Sequence, residues 1–521
     1  MVDHGEHGVH APHLKHSHAH EEDIPGTVNL QALEGDDTGY GQALFPVPAD
    51  DPNDPLQWGN KKKTMILCIC AAYSFLGNSA LLGPSVYIGI YSELFSITPA
   101  KASGLVSYPN LAYGFGSLVL FAAGLIGSSQ CNTFASLMAT RVIAQFGAGV
   151  CEALPVQLVN DIFFLHERGQ RLGYYTVCLC LGATGPLYAG YMLSGGNSWR
   201  LFFYVEFAFA CVLFILAFLF VEETWYKRDL MKARLGAAVT ANAEPEKGVE
   251  TESAEISPTA PARKSFVSTL KPWGVYDREA PFFMTAIRSF SYFLVPSVFW
   301  VVATYGIYIG LGALAFNFTF PIKIVAPPYN WSQTNSGLIA VGNIIGYALA
   351  VPFTTSSDRL AAYLTKKNNG IREAEMRLGV LLPAMLIGPA SLIVYGYTAE
   401  RNLHWIGYFA GVAMCNFSAY FFFTFTLAYA VDSYTVNLSE MLIAMNLGKQ
   451  AISFGMGEDL LQWVLTLGYV KTIAGIFCGV LAANDLALLL FMFYGKKIRI
   501  ATSKTWLASM HRKTQVVGES H

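Results

Sequence analysis

The sequence predicts an all-α membrane protein, built as two helix bundles with about eleven spans. Three observations carry this. Only 13% of the 521 residues are charged and 53% are hydrophobic, whereas soluble domains carry roughly 25% charge. Apolar runs recur near 64–90, 103–128, 135–162, 172–194, 201–222, 291–320, 334–355, 378–398, 403–430, 441–466 and 471–494; a bilayer core needs about 20 such residues per helix. A polar stretch at 223–280 divides the first five runs from the last six. This composition excludes a soluble enzyme, a disordered chain and a nucleic-acid binder.

Residues 1–58 read as a disordered cytosolic tail. His4, His7, His10, His13, His16, His18 and His20 lie two or three residues apart. Imidazoles at that density offer weak metal binding or a merely solvated tail. Trp58 and Lys61–Lys63 form an interface anchor at the entry to the first run. That run begins too far in for a cleaved signal peptide and reads as a signal-anchor. The first bundle is placed at 59–222. Glu, Lys, Ser, Thr and Pro dominate 223–280, which cannot form a packed core and reads as a cytosolic linker. The second bundle is placed at 281–495 and a cytosolic tail at 496–521. The nine cysteines sit mostly inside apolar runs and read as small buried apolar residues. No cofactor or metal is expected.

Basic residues set the orientation. Lys61–Lys63, His166–Arg171, Tyr226–Arg228, Arg359–Arg377 and Gly495–Arg499 are expected on the cytosolic side, with both termini. Asn330-Trp-Ser332 is a glycosylation sequon in a loop poor in Lys and Arg. The crossings then fail to add up. Starting inside at Lys61, the third run ends outside, yet its exit carries Arg168 and Arg171. One crossing is missing before residue 135, whereas the second half alternates correctly.

Six spans, a linker and six spans resemble the major facilitator superfamily. Arg141-Val-Ile-Ala-Gln145-Phe-Gly147-Ala-Gly149 looks like the superfamily's fourth-helix motif, and Gly182-Ala-Thr-Gly185-Pro186-Leu-Tyr-Ala-Gly190 resembles the fifth-helix motif of proton antiporters. Asp161–Gly169, Trp199-Arg200, Asn368–Glu373 with Arg377, Val431–Tyr434 and Gly495–Arg499 are similar to segments of fungal drug:proton antiporters. Within that group the pattern is most similar to the branch that includes a polyamine and cation transporter. The family's basic loop between its second and third helices has no counterpart here. Asn110–Leu120 looks like the first part of a second helix, and Phe121–Ser129 like the end of a third, joined directly. A deletion near Leu120 would produce both the lost loop and the crossing error. The alternative is a real variant with a re-entrant second segment.

Charges in a bilayer core are costly, about 2.5–3.5 kcal/mol each on insertion scales, and are functional candidates. Glu152 reads either as a cation- or proton-binding carboxylate in a central cavity or as an interhelical hydrogen-bond acceptor. Arg141 lies eleven residues earlier, about 16 Å along the helix, too far to pair with it. The resemblance implies a proton-coupling role for Arg141, against an interhelical lock. Glu206 is either a substrate carboxylate or an outer lock. Lys449 is expected to snorkel or pair with a carboxylate. Asp161 is expected to engage the His166–Arg171 loop, and Asp432 a basic residue across the interface between the halves. Gly182, Gly185, Pro186 and Gly190 permit close helix contact and a kink, which in the antiporter reading seals the fifth helix against the other half. Asn78, Tyr305, Asn343, Asn416 and Tyr420 are candidates to line a midplane site.

The expected function is secondary active transport of a small organic cation or polyamine-like substrate, coupled to H⁺, by a monomer in a lipid bilayer. The plasma membrane is the first expectation and the vacuolar membrane the second. A proton-independent facilitator or sensor, and an inactive truncated product, are the alternatives. No catalytic constellation or phosphate loop occurs.

Overall fold

The computed structural model describes residues 20–21, 27–29, 51–113, 117–224, 226, 265–270, 282–434 and 438–506. The histidines up to His18 and most of the expected linker lie outside the described residues. Apolar helices dominate, as the composition requires of a chain with so little charge. In the first half these are α1 (Asn60–Leu94), α2 (Pro99–Leu111), α3 (Leu118–Gln130), α4 (Phe134–Ile162), α5 (165–192) and α6 (Arg200–Phe220). The second half supplies α7 (Pro296–Val325), α8 (Gln333–Lys367), α9 (Ala374–Glu400), α10 (Ile406–Ser433), α11 (438–467) and α12 (Val470–Ser503). Eight of these are long and apolar enough to cross a membrane.

The expected single run at 103–128 is two helices, α2 and α3, of 13 residues each. Their directions follow from their shared neighbour α4. Lys101 Nζ lies 5.7 Å from the Phe134 ring centre, and Arg141 Nε donates to the Leu105 carbonyl at 2.5 Å. Residue numbers rise together, so α2 runs parallel to α4. A Cβ on Gly147 would meet Phe121 N at 2.2 Å, and one on Gly124 would meet Ala144 N at 2.4 Å. Residue numbers there run in opposition, so α3 is antiparallel to α4. The chain therefore enters from one face, reverses between Leu111 and Leu118, and leaves by the same face. Each arm is about 20 Å long at 1.5 Å per residue, against a core of about 30 Å.

This re-entrant hairpin removes the crossing error. The basic end of the molecule is marked where Lys63 Nζ sits 5.7 Å from the Phe163 ring centre and Lys62 pairs with Glu222 at 2.7 Å. α1 rises from that end, α2 and α3 dip in from the opposite end, and α4 descends to it. Every later helix alternates. Backbone contact without side chains holds the hairpin: Gly124 and Gly147 leave no room for a Cβ, so α3 and α4 touch main chain to main chain.

The two halves meet above and below a central space. At the end away from the lysines, Gln333 Nε2 donates to the Val86 carbonyl at 2.8 Å, and Gly337 abuts the Pro186 carbonyl. At the basic end, Gly169 of α5 is pressed against Asp358 and Arg377, and Gly173 against Thr354. A small sheet lies at the basic end. Strands β1 (His20–Glu21), β2 (Thr27–Asn29) and β3 (Ile371–Glu373) pair antiparallel in that order.

The hairpin predicts that residues 96 and 132 share a side, whereas a single crossing puts them on opposite sides. In a cysteine-free background, Ser96→Cys and Asn132→Cys are expected to react with a membrane-impermeant maleimide from the same face. Labelling from opposite faces would contradict the hairpin.

Candidate functional site

Pro155 positions the central carboxylate. Proline has no N–H, so the helix donor to the Cys151 carbonyl is missing. Ser74 Oγ supplies it from α1 at 2.5 Å and Tyr175 Oη from α5 at 3.2 Å. Tyr175 Oη also reaches the Glu152 carbonyl at 3.1 Å. Three helices thus fix the main chain around Glu152, and its side chain points to the space between the halves. There Lys449 Nζ of α11 pairs with Glu152 Oε2, and Gln450 Nε2 donates to the same oxygen at 3.4 Å. Both side chains of the ion pair are buried, at 8% and 7% exposure.

The second half shapes the lysine's side of the pair. A Cβ on Gly306 of α7 would meet Ile452 at 2.6 Å and the Lys449 carbonyl at 2.9 Å. Glycine there lets α11 close onto α7, which puts Lys449 Nζ 5.5 Å from the Tyr305 ring centre, within cation–π range. A small cavity adjoins the pair. Its walls include Asn78, Asn110, Tyr113, Tyr305, Tyr308, Tyr347 and Asn416, drawn from both halves. Asn78 Nδ2 donates to the Leu179 carbonyl at 2.9 Å, and Asn416 accepts from Tyr347 at 2.6 Å. The arrangement is one carboxylate, one ammonium, several aromatic faces and amides. It suits a cation that brings both charge and CH₂ groups.

Of the residues singled out in the sequence, Glu152, Lys449, Asn78, Tyr305 and Asn416 converge on this cavity. Asn343 lies one contact behind it, accepting from Asn416 at 2.9 Å and donating to the Ala183 carbonyl at 3.1 Å. Tyr420 is not a lining residue: it sits toward the basic end, bonded to Thr354 at 2.9 Å and to the Gly173 carbonyl at 3.5 Å. Glu206 is also away from the cavity walls. It is buried where α6 meets α1 and α5, accepting from Ser79 Oγ at 2.7 Å and from Tyr188 Oη. Its geometry is that of a lock between helices.

Arg141 is buried and caps the Leu81 and Leu105 carbonyls of α1 and α2, at 2.9 and 2.5 Å. Its Nη1 has no hydrogen-bond partner among the described residues. Gly182 and Gly185 pack against Asn78 and Ser79 of α1, inside their own half, rather than against the other bundle. Gly190 does reach across, with a Cβ there meeting the Thr334 carbonyl at 2.8 Å, and the Pro186 carbonyl abuts Gly337. Asn330 is exposed in the loop between α7 and α8. Asp161 accepts from Gln157 at 3.1 Å and Thr224 at 3.2 Å.

Asp432 was expected to meet a lysine or arginine across the halves; its nearest partners are in its own half, and Arg168 of α5, in the other half, attracts it as well. Arg377 Nε donates to it at 2.5 Å, and Arg372 lies 3.9 Å away. Arg377 also binds Asp358 at 2.5 Å. The short β3 connection between α8 and α9 brings these groups together, which their sequence distance hid. Burial, with Arg377 beside it, pushes the Arg372 guanidinium down to about 10, against the pull of Asp432 and Asp358. Gly169 of α5 docks on this cluster, so the cluster forms a contact at the basic end between the halves.

A buried ion pair is weak evidence of stability when whole but costly when halved, by about 3–5 kcal/mol. Lys449→Met alone and Glu152→Gln alone are therefore expected to lower the melting temperature of the purified protein. The Glu152→Gln/Lys449→Met double variant is expected to recover most of that loss. An additive loss would show that the two groups do not depend on each other.

A family model described as Major Facilitator Superfamily matches residues 113–457. The chain is similar to the MFS-type transporter penM of Penicillium rubens, at 26% identity over 482 residues, 86% of this chain and 88% of that one. It is similar to Protein HOL1 of Saccharomyces cerevisiae, at 24% identity over 591 aligned positions, 95% of this chain and 99% of that one. Among solved structures, the proton:xylose symporter XylE bound to 6-bromo-6-deoxy-D-glucose superposes with a TM-score of 0.50 at 14% identity, covering 84% of this chain and 96% of that one. With two-thirds of its length matched by that family model, this chain belongs to the Major Facilitator Superfamily.

Proposed function

We propose that this membrane transporter is a secondary active, proton-coupled antiporter for a small organic cation of the polyamine or drug-like class. The observation that carries the reading is the Glu152–Lys449 pair in the cavity between the two halves. Glu152 can satisfy its charge in three ways: with Lys449, with a substrate ammonium, or with a proton. Each excludes the others at the same oxygen. A proton arriving at Glu152 releases a bound cation, and a bound cation keeps the proton off. That exclusivity is the physical basis of antiport. Tyr305, Tyr308 and Tyr347 give a displaced ammonium an aromatic surround.

Alternating access needs contacts between the halves that can open at each end in turn. Candidate gates are Gln333 on Val86 at one end, and Gly169 on the Asp358–Arg377 cluster at the other. Arg141, joining α1, α2 and α4, is placed to transmit a shift of α4 to the hairpin. The same reading places both termini in the cytosol and the protein in the plasma membrane, with the vacuolar membrane as the alternative.

A second reading, a transport-inactive chain in which a re-entrant hairpin stands where two crossings are expected, is favoured by α2 and α3. The family match begins at Tyr113, beside the reversal.

Reconstituted protein separates these readings. Vesicles one pH unit more acidic inside are expected to concentrate radiolabelled spermidine. Glu152→Gln is expected to reduce that uptake by at least about tenfold, the equivalent of 1.4 kcal/mol. Uptake indifferent to the gradient would favour a facilitator. No uptake by folded wild-type protein would favour the inactive chain.

A further inference from the structure

The second half contains a buried carboxylate that neither the Glu152 site nor the candidate gates use. Asp485 of α12 is fully buried. Tyr308 Oη of α7 donates to its Oδ2 at 3.1 Å, and Asn484 Nδ2 lies 3.3 Å from its Oδ1. No Lys, Arg or His pairs with it among the described residues. The titratable groups facing it are Tyr308 from α7 and Cys415 from α10. From α9, Gly388 approaches the Tyr308 hydroxyl, where a Cβ would sit 2.7 Å away, and offers no charge. A lone acid inside a span is a functional candidate by default.

Tyr308 links this acid to the substrate cavity. Its ring is part of the cavity wall, and its hydroxyl also touches Ser418 Oγ at 2.8 Å. We infer that Asp485 is a second proton-binding site, connected to the cavity through the Tyr308 hydroxyl. In the loading direction, Tyr308 gives its phenolic proton to Asp485 Oδ2 and takes one from the cavity side. Tyrosine is unchanged, one proton has moved, and Asp485 goes from carboxylate to acid. Unloading is the reverse. Asn484 is held in turn by Thr304, with Asn484 Nδ2 to Thr304 Oγ1 at 3.0 Å, which fixes the donor on the other oxygen. Asp485 sits on α12 and Glu152 on α4, so the two halves would each carry one proton.

This inference rests on the proton-coupled reading, and coupling stoichiometry tests it separately. In vesicles with the membrane potential clamped at zero, each coupled proton adds about one factor of ten in accumulation per pH unit. Wild-type protein with two sites is expected to concentrate radiolabelled spermidine about 100-fold at one pH unit, and Asp485→Asn about tenfold. Tyr308→Phe leaves the acid in place but cuts its link, and is expected to give the same drop. It serves as the test if Asp485→Asn does not fold. Asp485→Glu is expected to restore the wild-type ratio. A wild-type ratio independent of the pH gradient would overturn the proton-coupled reading itself. A gradient-driven ratio left unchanged by Asp485→Asn, or by Tyr308→Phe where the former does not fold, would overturn the role of Asp485 alone.

Discussion

A bilayer core tolerates a charge only where another group cancels it, and this chain applies that constraint at its centre. Glu152 and Lys449 come from different halves, and each depends on the other to be buried. The pair ties the bundles together and leaves the cavity electrically neutral. The supporting structure follows from the same demand. Pro155 opens the α4 backbone beside Glu152, and Ser74 and Tyr175 supply the missing donor. Gly306 brings the α11 backbone close enough for Lys449 to reach across.

The hairpin α2–α3 is the feature that departs most from a regular two-bundle fold. Both arms are helical, so backbone groups within each arm pair along the helix, as a membrane requires. It is held by small residues, with Gly124 and Gly147 permitting backbone contact. Its tip also belongs to the cavity: Asn110 donates to Ser453 of α11 at 2.6 Å, and Tyr113 touches Cys151 at 2.8 Å. The shortened segment therefore still closes one wall of the central space and still contacts the second half. Arg141 adds a charged clamp from α4 to the Leu105 carbonyl of the hairpin.

The long helices were legible in the sequence because apolar length is a direct signal. The crossing error was legible too, since Arg168 and Arg171 fell on the wrong side of the count. The reversal was legible only as one of two alternatives, a re-entrant second segment, because residues 103–128 form one apolar run of span length. Glu152 was legible as an isolated intramembrane carboxylate, but its partner lies nearly 300 residues away, and only the fold pairs them. The nearest partners of Asp432 were hidden for a related reason: Arg372 and Arg377 look distant along the chain, yet β3 and the start of α9 carry them to the end of α10. Asp485 was overlooked within the apolar run 471–494. The rule that flagged Glu152, a lone acid inside a span, would have found it.

Competition between Lys449 and substrate for Glu152 is the central claim, and ligand-induced thermal stabilisation of Lys449→Met tests it most directly. If Lys449 occupies the substrate's place, removing it leaves an unpaired carboxylate that a polyamine can neutralise. Spermidine should then raise the melting temperature of Lys449→Met more than that of wild type, and bind it at least about tenfold more tightly. Weaker spermidine binding to the folded Lys449→Met protein than to wild type would show that the lysine helps hold the substrate, and would contradict the exchange of charges at Glu152.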